Sequence, residues 1–150
     1  MPESNTTWKL QLLAQTEDLK YGYLSREIIT SKPLMVTPNL PRFLRQGDEV
    51  TITAQISNQS SATMDGRASL ELFDPGNGQP VICLTKSQKP FTLGVDSTTT
   101  VNWSFKVPAS SDGVIGCRII ADSDKGSDGE QHLIPVLSNE ILITESTPFY

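Results

Sequence analysis

A chain of 150 residues with a net charge of −5 has room for one full-sized domain and a short appendage. Its acidic balance, with a pI near 4.8 and no stripe of Lys or Arg, disfavours nucleic acid as a partner. No apolar run approaches the roughly 20 residues of a membrane span.

Apolar residues make up 37% of the chain, and they come in short runs among many Ser and Thr. That distribution suits strands and turns better than amphipathic helices. The opening Met1-Pro2-Glu3-Ser4-Asn5 lacks the basic start and apolar core of a signal peptide. The expectation is a cytosolic protein or a piece of a longer exported one.

The first strand is predicted over residues 8–15, with Trp8, Leu10, Leu12 and Ala14 on one side. Thr16-Glu17-Asp18 breaks it, and residues 20–31 form a second strand carrying Tyr21, Tyr23, Ile28 and Ile29. Pro33 interrupts, because proline cannot donate to a ladder. Leu34-Met35-Val36 is a short strand closed by Pro38-Asn39-Leu40-Pro41.

Gly47-Asp48 supplies a turn that launches the clearest strand of the chain, residues 49–57. There Val50, Ile52, Ala54 and Ile56 alternate with Thr51, Thr53, Gln55 and Ser57. Asn58-Gln59-Ser60-Ser61 reads as a turn, and Asp65-Gly66 leads into residues 67–73, where Ala68, Leu70 and Leu72 share a face. Asp74-Pro75-Gly76-Asn77-Gly78 is dense in turn formers, with a return strand over 81–84. Residues 98–107 alternate again, with Val101, Trp103, Phe105 and Val107 on the apolar side.

Val114 to Ala121 puts Ile115, Cys117, Ile119 and Ala121 on one face, and a polar tip from Asp122 to Gly129 leads to a last strand, Gln131 to Thr144, bent at Pro135. About seven strands after Pro33, punctuated every 8–12 residues, predict an all-β immunoglobulin-like or fibronectin-III-like antiparallel sandwich. An extra N-terminal hairpin precedes it. The predicted core includes Phe43, Val50, Ile52, Ile56, Leu70, Leu72, Val101, Trp103, Phe105 and Ile119.

Catalytic chemistry finds little support. The single histidine, His132, has no G-x-S-x-G elbow to serve and reads as a surface residue. Asp122, Asp124 and Asp128 are candidate cation ligands at a hairpin tip. Counted from Asp122, however, the sixth and twelfth places of an EF-hand loop hold Ser127 and Leu133 instead of Gly and Glu. Cys83 and Cys117 fit no metal-ligand spacing and read as buried thiols, with a disulfide as the alternative in an oxidising compartment. The sequons at Asn5, Asn58 and Asn102 carry no weight alone. Trp8, Tyr21 and Tyr23, on a hairpin with no core of its own, predict an interdomain contact surface.

Lys32 to Asp48, with Pro41-Arg42-Phe43-Leu44-Arg45-Gln46-Gly47-Asp48 at its end, resembles the junction in bacterial alpha-2-macroglobulin-like proteins where PRF-L-R-x-GD opens a macroglobulin-like sandwich. Ser127-Asp128-Gly129-Glu130, Leu133 to Leu137 and Ile143-Thr144-Glu145 resemble the closing strands of that domain. Thr7-Trp8-Lys9, Ala14-Gln15-Thr16 and Gly22 resemble the tail of the domain before it. The resemblance implies terminal strands of a preceding domain over residues 1–31, a sandwich domain over 32–146 and a linker over 147–150.

It further implies a non-catalytic, cofactor-free framework piece of an endopeptidase inhibitor, exported to the bacterial periplasm or cell surface. Its partners would be neighbouring macroglobulin-like domains and, through the whole protein, target proteases. The family's Cys-Gly-Glu-Gln thioester motif follows neither cysteine, and no functional residue carries over. Phe43 and Leu44 would pin the interdomain turn, with Arg42 and Arg45 facing acidic groups, while the unpaired hairpin could also join two copies. The alternative is a ligand-binding sandwich, an adhesion or carbohydrate-binding module, which would expose Trp103 on a flat face.

Overall fold

The computed structural model describes residues 6–82, 84, 87–109 and 113–140. All regular structure among them is strand, and the chain divides into two compact units at Pro33/Leu34.

The first unit is a hairpin of β1, Thr6–Gln15, and β2, Tyr21–Thr30. The strands pair antiparallel from Thr6↔Thr30 to Gln15↔Tyr21. Its turn is closed by Thr16 N–H donating to Lys20 C=O at 2.9 Å and Leu19 N–H donating to Thr16 C=O at 3.0 Å. Leu19 takes a φ of 60° to make it.

The second unit is a sandwich. One sheet runs β3–β5–β9, made of β3 (Leu34–Asn39), β5 (Glu49–Asn58) and β9 (Thr98–Lys106). The other is built on β6 (Met64–Phe73), β10 (Gly113–Ser123) and β11 (Gly126–Leu137). Its order is β4–β11–β10–β6, with β4 spanning Leu44–Arg45. Beyond β6 lie β7 (Pro80–Ile82), pairing with Leu72 and Phe73, and β8 (Gln88–Leu93), pairing with residues 64–69. A three-stranded sheet facing a longer one, with the first strand passing from one sheet to the other, is the fibronectin-like arrangement.

Alternation determines which side chains meet between the sheets. Leu34, Val36, Ile52, Ala54, Ile56, Val101, Trp103, Phe105 and Val107 come from one, and Ala68, Leu70, Leu72, Phe91, Leu93, Ile115, Ile119, Ile134 and Val136 from the other. Buried methylene and ring area of this extent is the main stabilising term of such a domain, at about 25 cal/mol per Å².

The segment Leu44 to Asp48 stitches the sheets together. Leu44, fully buried, pairs parallel with Val136. Gln46 N–H donates to Leu137 C=O at 3.1 Å. Gly47, at a φ of 81° that non-glycine residues rarely adopt, donates to Val107 C=O at 3.0 Å. The turn predicted at Gly47-Asp48 is therefore also the point where the chain crosses between sheets.

Several expectations need correction. Phe43 is not a core residue: it is 48% exposed, and its neighbour Leu44 takes the inward place. Val50 sits at the core margin. No ion pair forms at Arg42 or Arg45 among the described residues. The strand expected from Arg67 begins earlier: Asp65 and Gly66 lie inside β6, where Phe91 on β8 is directly across from Gly66 and its ring occupies the space a Cβ would take.

The tip predicted over Asp122 to Gly129 is mostly ladder, since β10 and β11 run on to pair Ser123 with Gly126. The last strand stops at Leu137; residues 141–144 and the expected linker lie outside the described residues. Strands β4 and β8 add to those expected, so that among the described residues nine strands form the sandwich where about seven were expected.

Candidate interaction surface

The residues that could carry chemistry are dispersed. His132 lies 3.4 Å from Glu130, with both side chains about half exposed, and no cleft gathers other groups around them. Asp122 pairs across the ladder with Arg67. Asp128 is spent on structure, its Oδ2 accepting the Val36 N–H at 2.9 Å, which ties β11 to β3 on the opposite sheet. No group of three His, Cys, Asp or Glu that could hold a metal forms among the described residues, so the three aspartates are not brought together as ligands. Cys117 is a free, buried thiol whose pKa burial pushes up to about 11. Its inertness follows, since the thiolate is the reactive form. Cys83 lies outside the described residues.

Trp103 decides between platform and scaffold. It is 2% exposed, and its indole N–H donates to Ser87 C=O at 2.8 Å. Its ring is core and its polar edge is satisfied, as a buried indole requires. The outer surface of the longer sheet carries a shelf instead. Phe73 lies across from Gly116, and its ring fills the place of the missing Cβ, with Cε2 2.6 Å from that position.

Arg118 stands over the same ring at 4.9 Å, held by Glu71 at 3.3 Å and Gln131 at 3.0 Å. A cleft of about 480 Å³ beside this shelf is lined by Leu72, Phe73, Pro80, Ile82, Leu84 and Arg118. Arg118, the cation among the described lining residues, is therefore already engaged.

Asn58 shows what a sequon motif can conceal. Buried, it donates from its side-chain amide to Ala62 C=O and Gly94 C=O, each at 2.7 Å. Its Oδ1 accepts from Ser60 N–H at 2.9 Å and Ser60 hydroxyl at 2.8 Å. The amide is a loop clamp, with no face left for modification.

What remains open is the hairpin. Its register places Trp8 opposite Ile28 and Leu12 opposite Leu24, with Leu10 between them. This face is apolar apart from Arg26, which pairs with Leu10, and each of the apolar side chains named is well exposed. Leu13 pairs with Tyr23, and Gln15 with Tyr21, on the reverse face. Trp8 and the two tyrosines, read together from the sequence, therefore point in opposite directions. A ribbon with one largely apolar face and an apolar turn end on the other is a docking element by composition.

The chain is similar to known proteins. The model of the Alpha-2-macroglobulin family matches residues 1–70. Alpha-2-macroglobulin of Thermotoga maritima is 26% identical over 136 residues, 91% of this chain. That of Xylella fastidiosa strain 9a5c is 23% identical over 132 residues, 88% of it.

Over most of its length this chain is similar to bacterial alpha-2-macroglobulins.

It spans only 8% of the length of each of those two alpha-2-macroglobulins. The solved structures agree on the fold. The native conformation of Escherichia coli alpha-2-macroglobulin superposes with a TM-score of 0.64 at 18% identity, over 90% of this chain and 8% of that one. A Salmonella alpha-2-macroglobulin crystal structure gives 0.63 at 18% identity, over 89% and 9%. The family match runs through the hairpin and the junction into β6.

Proposed function

We propose that the chain is non-catalytic framework in a protease-trapping alpha-2-macroglobulin of the bacterial periplasm or cell surface. The sandwich is a rigid block, and the hairpin is the terminal ribbon of the domain before it. The observation that carries this reading is the contrast between the two units. The sandwich spends its alternating apolar residues, Trp103 included, on its own core. The hairpin leaves Trp8, Leu10, Leu12, Leu24 and Ile28 exposed, a stripe that another part of the parent would cover. A rigid block with a ribbon committed to its neighbour suits a protein that must move domains as bodies when a protease cuts it. The buried Trp103 counts against the ligand-binding alternative.

The test is made on the full-length parent, mixed with a broad-specificity endopeptidase. Trapping is read as loss of activity on a large protein substrate while a small peptide substrate is still cleaved. The wild type should show that split, and a Trp8→Ser/Leu10→Ser parent should lose thermal stability and most of the split. The 150-residue chain alone should neither inhibit the protease nor hydrolyse any substrate. A double variant that traps and melts like wild type would remove the framework role of the ribbon.

A further inference from the structure

The three-stranded sheet ends in two free edges, and the hydrogen-bond phase of its centre strand shows which groups stand on each. Asn58 N–H donates to Ser97 C=O and Val107 N–H to Asp48 C=O, each at 2.9 Å. Bonds between antiparallel strands alternate, so the even-numbered residues of β5 bond to β9 and the odd-numbered ones to β3. The backbone groups of Thr98, Thr100, Asn102, Ser104 and Lys106 on β9 therefore face away from β5. So do those of Leu34, Val36 and Pro38 on β3.

Such edges are templates for another strand, yet each carries a charged side chain lent by the opposite sheet. On β3, Asp128 Oδ2 accepts the Val36 N–H at 2.9 Å, and Pro38 has no N–H to offer. On β9, Lys89 Nζ donates to Asn102 Oδ1 at 3.1 Å, in the middle of the strand. The two guards hold equivalent places. Lys89 shares its side of β8 with buried Phe91 and Leu93, and Asp128 pairs with buried Ala121. Alternation aims both between the sheets, at the rim, where each is half-buried. Asn102 is exposed on the outer face of β9. A lysine that starts on the core side of the other sheet reaches it only by passing around the free edge.

We propose that Lys89 and Asp128 are edge guards, which keep a second copy of this chain from adding a strand to the three-stranded sheet. The β9 edge is the one more in need of closing. It runs for nine residues without proline, and it is complementary to itself. Antiparallel pairing centred on Asn102 sets Thr100 opposite Ser104 and Thr98 opposite Lys106, so no like charges face each other within the strands. The same axis brings the Lys89 ammonium groups of the two copies together beside Asn102, where like charges repel. On β3 the missing N–H of Pro38 already interrupts the ladder, and Asp128 takes the donor two residues before it.

Sedimentation velocity of the 150-residue chain tests this. Lys89→Ala should self-associate about tenfold more tightly than wild type, and adding Thr100→Pro should return it to the wild-type level. Position 100 faces the free edge, so a proline there spares the β5 ladder while removing a rung from any added strand. Association unchanged in Lys89→Ala would overturn the proposal. So would tight association that survives Thr100→Pro, because it would lie away from the β9 edge. Hydrogen exchange gives the same reading if the proline variant does not fold. In Lys89→Ala the Thr100, Asn102 and Ser104 amides should slow about fivefold from low to high protein concentration; constant rates would overturn the proposal. Asp128→Ala alone should raise association by less than about twofold, because Pro38 remains. Asp128→Ala/Pro38→Val should raise it about fivefold, and no rise in that double variant would overturn the part assigned to Asp128.

Discussion

The hairpin and the sandwich are written in the same code. Trp8, Leu10 and Leu12 alternate with polar neighbours as cleanly as Val101, Trp103 and Phe105 do. Yet one set is exposed and the other buried. Alternation fixes that a strand has two unlike faces; it is silent on what covers the apolar one. Coverage depends on how many strands lie in the same chain. Nine suffice to close a core, whereas two cannot.

The sharpest way to break the comparison is to truncate the two tryptophans. Trp103→Ala should cost about 3–5 kcal/mol, since the ring is enclosed and its N–H bond is lost with it. Trp8→Ala in the 150-residue chain should shift the sandwich melt by less than about 0.5 kcal/mol, as surface changes do. Urea denaturation followed by near-UV circular dichroism separates the two. Equal losses would mean that the hairpin shares the sandwich core, contrary to the division at Pro33/Leu34.

Gly66→Ala comes next. Its new methyl would meet the Phe91 ring and the Asp122 carbonyl, and overpacking of this kind costs about 1–3 kcal/mol. The matching change in the hairpin, Gly22→Ala, meets nothing within 4 Å and should be near neutral. Thermal melts of the two variants supply the check. A neutral Gly66→Ala would show that β8 can move off β6.

How much was legible follows the same division. The inward sets of β5, β9 and β10 were readable because period-2 alternation over eight or more residues leaves one register that buries the apolar side. Strand β8 was missed because Gln88-Lys89-Pro90 carries a proline and two polar residues; Phe91 and Leu93 alone make too short an alternation to register. Gly66 carries no such signal in the sequence; only the ring across the ladder shows why a glycine is needed.

Phe43 and Leu44 were interchangeable on hydrophobicity. The parallel pairing of Leu44 with Val136, a contact between residues far apart in sequence, decides which one turns inward. The opposition of Trp8 to Tyr21 and Tyr23 was not legible, because it depends on the register across the hairpin.

Asn58→Ala ranks below the steric changes. It removes an amide that serves two carbonyls and two Ser60 donors at once. Leaving such groups unpaired away from water costs about 1–3 kcal/mol. Asn58→Asp separates packing from bonding: it keeps the acceptor for Ser60 and loses the donors to Ala62 and Gly94. It should fall nearer to alanine than to wild type in a urea titration, because the carboxylate would face two carbonyl oxygens. A loss confined to alanine would place the value of the residue in its Ser60 contacts alone.

The smallest effect is expected at Phe43, and it sharpens the comparison more than its size suggests. In the 150-residue chain Phe43 resembles the hairpin residues more than the core: it is an aromatic ring half in water beside a fully buried leucine. Leu44→Ala should cost about 2–5 kcal/mol, as a cavity in a packed site does, whereas Phe43→Ala should cost less than about 1 kcal/mol, because little area returns to water. In the full-length parent the order can change. A ring that stays exposed in its own domain, next to a segment crossing between sheets, is placed to seal an interdomain contact. There Phe43→Ala should lower the parent's melting midpoint by clearly more than the isolated chain's. Equal shifts in parent and fragment would assign Phe43 to the solvent-facing surface, leaving Leu44 as the only pin of the crossing.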